Sequence, residues 1–182
     1  MLKNLRTVRG IKKIIFASKD RGGFDAVLPV LKKIKNNKGF KTFVILSGPS
    51  CQLAKKENIK YLDSNAVTSF EVKNLIKKIR PDIVFTSTSR GISIDKKVVR
   101  AAKKEKIPTI SIVDYWSNNK QRFGKKLEYL PDYVLAIDQE MKKKLIKSGI
   151  SKDKVFITGN PRFDRFSEFK EFKEGKNTIV FY

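Results

Sequence analysis

The stretch PDIVFTSTSRGISIDKKVVRAAKKEKIPTISIVDYW, residues 81–116, decides the fold. DIVFT (82–86) and PTISIV (108–113) are nearly continuous apolar runs rich in β-branched residues, the composition of strands covered on both faces. Between them Ser93 can cap a helix running to about Glu105. Working outward, similar runs occur as IIFA (14–17), TFVIL (42–46), a weaker IKYL (59–62), YVLAI (133–137), KVFIT (154–158) and TIVFY (178–182). Amphipathic segments separate most of them. Phe24, Val27, Leu28, Leu31 and Ile34 form one helical stripe, and Pro29, tolerable only near a first turn, predicts a helix start close to Asp25. Val72, Leu75, Ile76 and Ile79 form a second stripe, and Asp138 caps a segment that stops at Gly149. Strands alternating with helices predict an α/β fold: a Rossmann-like doubly wound, mostly parallel sheet with helices on both faces. The turns Arg80-Pro81-Asp82 and Leu130-Pro131-Asp132 each lead from a helix into a strand.

The chain has 182 residues, enough for one full core, and a formal net charge of +23. Such a balance favours anionic partners, although lysine outnumbers arginine more than threefold and is spread over every helical segment, as on solvated helix faces. Nucleic-acid binding is not expected, because no arginine-rich run and no nucleic-acid motif accompanies the charge. Cys51 is the sole cysteine, so no disulfide can form within the chain and a cytoplasmic setting is expected. No segment has the length of a membrane span, leaving peripheral contact with anionic lipid as the expected form of any membrane association. With no histidine in the chain, Ser-His and Cys-His catalysis and histidine metal sites are excluded within it, and no metal site is expected. Carboxylates remain as proton acceptors.

Chemistry-bearing residues collect after the predicted strands, where open α/β sheets hold ligands. After the first come Asp20, Arg21, Gly22 and Gly23, whose paired glycines would bring backbone amides close to a ligand at a helix start, or simply form a turn. G-x-G-x-x-G and the P-loop pattern are both missing, so neither a dinucleotide cofactor nor P-loop phosphoryl transfer is supported. After DIVFT come Ser87, Thr88, Ser89 and Arg90, hydroxyls and a guanidinium suited to a phosphate or sugar. After PTISIV, Asp114 could accept a proton, Trp116 stack a ring, Asn119 bind substrate, and Arg122 pair an anion. The alternative is that Asp114 binds the amides of its own loop while Trp116 packs beneath it. Finally KVFITGNPRFDRF (154–166) reads as a buried strand breaking at Gly159, with Asn160 and Arg162 facing the same edge.

SKDRGGFDAVLPVLKKIK, STSRG, DYWSNNKQRF, LPDYVLAID and VFITGNPRFD, over residues 11–166, together resemble the N-terminal domain of GT-B-fold polysaccharide-biosynthesis glycosyltransferases, and more distantly UDP-N-acetylglucosamine 2-epimerase. The resemblance implies two facing Rossmann-like domains, this chain supplying the acceptor side: a lead at 1–10, the domain at 11–173, and at 174–182 a linker with the opening strand of a second domain. It implies a catalytic base in the loop after the first strand, at Asp20, with Asp114 as the second candidate. A nucleotide-sugar donor would be the substrate of the complete enzyme, with no cofactor, and a sugar or lipid-linked acceptor would bind here. A separate donor-binding domain or chain is an expected partner. Serine and threonine at 87–89 replace the acidic position that the epimerase carries after its fourth strand, which argues against epimerisation. The isolated chain would be inactive, and ligand or partner binding without catalysis is the other reading.

Overall fold

The computed structural model describes residues 10–166. Seven strands, β1 (Lys12–Ser18), β2 (Phe40–Leu46), β3 (Leu62–Asp63), β4 (Ile83–Thr86), β5 (Thr109–Ile112), β6 (Tyr133–Ala136) and β7 (Val155–Ile157), form one sheet in the order β3-β2-β1-β4-β5-β6-β7. Every pairing is parallel. Six helices connect them: α1 (Arg21–Lys35), α2 (Pro49–Lys56), α3 (Ser69–Ile79), α4 (Ile94–Lys104), α5 (Asn119–Phe123) and α6 (Gln139–Lys147). The expected doubly wound α/β fold is therefore the observed one, and the expected strand at 178–182 lies outside the described residues.

Both faces of the central strands are buried because successive side chains alternate between two cores. Phe16 of β1 packs with Phe24 and Leu31 of α1 on one face, while Ile15 and Ala17 pack with Val72 and Ile76 of α3 and Val98 of α4 on the other. A third cluster gathers Met141 and Leu145 of α6 against Val134 and Ala136 of β6. Each fully buried Leu, Ile or Phe contributes about 2 kcal/mol, so these three clusters hold the layers together.

Three expectations are corrected here. The first helix begins at Arg21 rather than near Asp25, and Pro29 lies inside it. Pro29 keeps a helical φ but lacks an N–H, leaving the Asp25 carbonyl without its helical donor; the two glycines of the first turn explain the early start, as shown below. The strand at 154–158 is not buried throughout. Val155 is buried but Phe156 and Ile157 are each 46% exposed, because among the described residues β7 is the sheet edge and pairs with β6 alone. The weak run at 59–62 contracts to Leu62–Asp63 at the opposite edge, with Ile59 buried in the turn after α2.

The two Pro-Asp turns perform one task at the amino edge. Asp82 N–H donates to the Lys13 carbonyl and its carboxylate accepts from Lys13 N–H at 2.8 Å, fixing β4 to β1. Asp132 repeats the pattern on Thr109, with N–H to carbonyl at 3.1 Å and carboxylate from N–H at 2.9 Å, fixing β6 to β5. The Lys13 N–H, followed by Lys12, holds the Asp82 carboxyl below the usual carboxylate range.

Candidate functional site

In this strand order the chain winds one way from β1 through β2 to β3 and the other way from β4 onward, so the switch point lies between β1 and β4. Their carboxyl ends lie side by side beneath the first turn of α1. Ser18, ending β1, and Ser87, following β4, are buried and share a hydrogen bond of 2.7 Å between their hydroxyls. Gly22 and Gly23 seat the first turn of α1 directly above them. A Cβ at Gly23 would stand 2.6 Å from Ser87 Cβ, and one at Gly22 would stand 2.9 Å from Asp114 Oδ2. The glycines thus serve the close approach of α1 to β4 and β5, a packing reason beside the ligand reason that their pattern suggested.

Asp20 is the N-cap residue of α1, but its side chain makes no capping bond and is half-buried at the carboxyl edge. Arg21 follows it, exposed. A carboxylate at a helix start without a capping bond is geometrically available to an incoming hydroxyl. Asp114 is held differently. Its Oδ1 receives Arg122 Nη1 at 2.9 Å, while Arg122 also donates to the Thr88 carbonyl at 2.6 Å, to Thr88 Oγ1 at 3.0 Å and, through Nε, to the Ser117 carbonyl. The buried Arg122 guanidinium is therefore occupied in joining the loops after β4 and β5 and orienting Asp114.

The remaining expected residues divide in the same way. Ser87, Thr88 and Ser89 are buried at the carboxyl edge, and Arg90 beside them is exposed. Trp116 is half-buried against the β6 core, its indole N–H donating to Asp138 Oδ2 at 2.9 Å. Asn119 opens α5 with a buried Oδ1 that has no hydrogen-bond partner among the described residues. Asn160 accepts Arg162 N–H, and Arg162 reaches back to Asp25 of α1 at 3.1 Å, so the Pro161–Phe166 turn packs on α1 beside the same edge. Strand ends 1, 4 and 5 are thus brought together, while Asn160 and Arg162 meet the site through α1.

Two residues at this edge lay outside the sequence reading. Asp95, almost wholly buried in the first turn of α4, accepts Ser89 N–H at 2.7 Å on Oδ2, and its Oδ1 has no hydrogen-bond partner among the described residues. Burial pushes its carboxyl pKa up, opposed by the nearby Ser93 hydroxyl, which makes no hydrogen bond of ordinary geometry, and by the Ser89 amide. Lys96 spans two loops, its ammonium donating to the carbonyls of Gly91 at 2.7 Å and Gln121 at 2.6 Å. Burial pulls its pKa below the usual lysine value, with Asp95 and Glu128 opposing. Nothing separates Lys96 from its neighbours in a lysine-rich run, whereas an acidic residue two positions after a Ser cap is a signal that could have been read. Among the described residues no cluster of three or more Cys, Asp or Glu could hold a metal ion.

A seven-stranded parallel sheet with its switch point between β1 and β4 defines the class: a Rossmann-like domain of the GT-B type, as expected from the sequence. Residues 32–161 match the family model for monogalactosyldiacylglycerol (MGDG) synthase, and the chain belongs to that family. The fold is similar to UDP-GlcNAc 2-epimerase from Neisseria meningitidis bound to UDP-GlcNAc, at a TM-score of 0.67 and 19% identity, over 85% of this chain and 48% of that one. The S. aureus MnaA structure with UDP gives 0.69 and 16%, over 92% and 50%. The lipopolysaccharide outer core galactosyltransferase WaaB gives 0.55 and 19%, over 79% and 44%. This chain spans about half the length of the solved structures it matches. No curated protein matches it in sequence.

Proposed function

We propose that this chain is the acceptor-side half of a glycosyltransferase that moves a sugar from a nucleotide-sugar donor onto a lipid acceptor, in glycolipid or surface-polysaccharide assembly. The observation that carries the proposal is Asp20, a carboxylate free of capping duty above the Ser18–Ser87 pair, in a chain of the MGDG synthase family. That family's product is a galactosylated diacylglycerol, which favours a lipid hydroxyl as acceptor. In the proposed step Asp20 takes the proton of the acceptor hydroxyl, the freed oxygen bonds to the anomeric carbon, and the nucleoside diphosphate leaves with the electron pair of the broken bond. Asp114, oriented by Arg122 and close to Gly22 in the first turn of α1, is the second candidate for contact with the acceptor. Arg21, Arg90 and the helix N-termini supply positive potential toward the departing diphosphate. The donor and its binding domain belong to the other half, on this reading, and the protein works at the inner membrane face.

Glycosyl transfer by the full-length protein, compared with its Asp20→Asn and Asp114→Asn variants, tests the assignment. Loss of the base should lower kcat by about a hundredfold or more in Asp20→Asn, with donor KM little changed. Unaltered kcat in both variants would remove both carboxylates from the chemistry.

A further inference from the structure

Residues 89–92, Ser-Arg-Gly-Ile, lead from β4 to α4 without belonging to either, and Gly91 takes a left-handed backbone at φ +65°. Such a segment has no ladder or helix of its own to fix it. Ties from its neighbours hold it instead. Ser89 N–H donates to Asp95 Oδ2 at 2.7 Å, Lys96 Nζ donates to the Gly91 carbonyl at 2.7 Å, and Lys19 Nζ donates to the Ile92 carbonyl at 3.0 Å. Among these ties stands Arg90, exposed.

The other end of the Lys96 tie is α5. Lys96 Nζ also donates to the Gln121 carbonyl at 2.6 Å and stands 5.5 Å from the centroid of the Tyr129 ring. A helix of five residues has few internal bonds to hold itself, and its last carbonyls lack helical donors. α5 is anchored by Phe123, buried in the β6 core, and by Arg122, so Lys96 joins the Arg90 segment to a fixed point. Lys19, which adjoins Asp20, joins the same segment to the loop after β1. Lys96 is only 8% exposed, and an ammonium taken that far from water is costly unless its donors are met. Packing would be served by an apolar side chain of similar length. What lysine adds at this position is the pair of bonds.

We propose that Lys96 is a positioning residue for glycosyl transfer: together with Lys19 it fixes the Arg90 segment between the Asp20 loop and α5, and so aims the Arg90 guanidinium at the departing diphosphate. This role rests on the glycosyltransferase reading, whereas the tie itself does not.

Hydrogen–deuterium exchange of the full-length protein tests the tie without donor or turnover. Lys96→Met, which keeps the stem of the side chain and removes its donors, should speed exchange about tenfold in peptides spanning 87–92 and 117–129, and leave β1 and β2 unchanged. Lys104→Met, the same change of charge on the same helix, should move none of these. Steady-state transfer then tests the role. Lys96→Met should lower kcat about tenfold with both KM values within about twofold. Arg90→Gln/Lys96→Met should be no slower than Arg90→Gln, because once the guanidinium is gone its aim no longer matters. Lys19→Met releases the segment from its other side without disturbing a buried charge, so it carries the test if Lys96→Met folds poorly. It should lower kcat about threefold and likewise add nothing to Arg90→Gln. Losses that add in full in the double variants would make the lysines structural supports and overturn the positioning role. Exchange in Lys96→Met no faster than in Lys104→Met would overturn the tie. Exchange loosened as expected in a protein whose wild type transfers no sugar would defeat the enzyme reading and the role with it; transfer with undiminished kcat in Lys96→Met would defeat the role alone.

Discussion

At Asp95 charge and burial oppose each other. Its carboxyl is nearly inaccessible, the Ser89 amide donates to it, and burial raises its pKa. A carboxyl whose folded pKa lies above its unfolded one favours folding most when protonated, and that benefit is lost as pH rises through the folded value. Denaturation midpoints should therefore show the wild type losing stability relative to Asp95→Asn as pH rises from about 4 toward neutrality; parallel curves would refute the raised pKa. Arg122 carries a second expectation. Truncating it to Ala leaves Asp114 and the Thr88 carbonyl without their donor, at a cost of about 3 kcal/mol in chemical denaturation. From the sequence Arg122 suited an anionic ligand; folding gives it Asp114 instead, because a buried guanidinium takes the nearest carboxylate, and that pairing spans two loops no local pattern connects.

Strands and helices were largely legible as elements, since their signals are local: apolar runs for the central strands, stripes and caps for the helices. What escaped depended on neighbours. The start of α1 is set by close approach to Ser87, so Gly23→Ala should destabilise the fold by about 2 kcal/mol through overpacking, and Gly23→Ala/Ser87→Gly should recover part of the loss. Thermal melts of the two variants decide this. The exposure of β7 follows from its edge position, which depends on strand order and not on its own residues. The paired Pro-Asp turns were visible as punctuation, but their reach to Lys13 and Thr109 was not. Asp82→Asn should cost about 1 kcal/mol at neutral pH. Because the Asp82 pKa is lowered on folding, the cost should disappear as pH falls through the folded value, below about 4.

At the scale of the molecule, the seven-stranded order places Asp20, Ser87 and Asp114 around one switch point, and this is why separate weak motifs converge on one edge. The charge of +23 is less informative taken whole than when divided: Lys96 is buried between two loops, while elsewhere lysines line solvated helices. The central claim is that this chain binds the acceptor at the carboxyl edge. Amide shift mapping of the labelled chain with diacylglycerol in neutral micelles, corrected against micelles alone, tests it most directly. Shifts at residues 20–24, 87–90 and 114–119, with none on adding a UDP-sugar, are the predicted result; shifts confined to the amino edge around Asp82 and Asp132, or none at all, would contradict it.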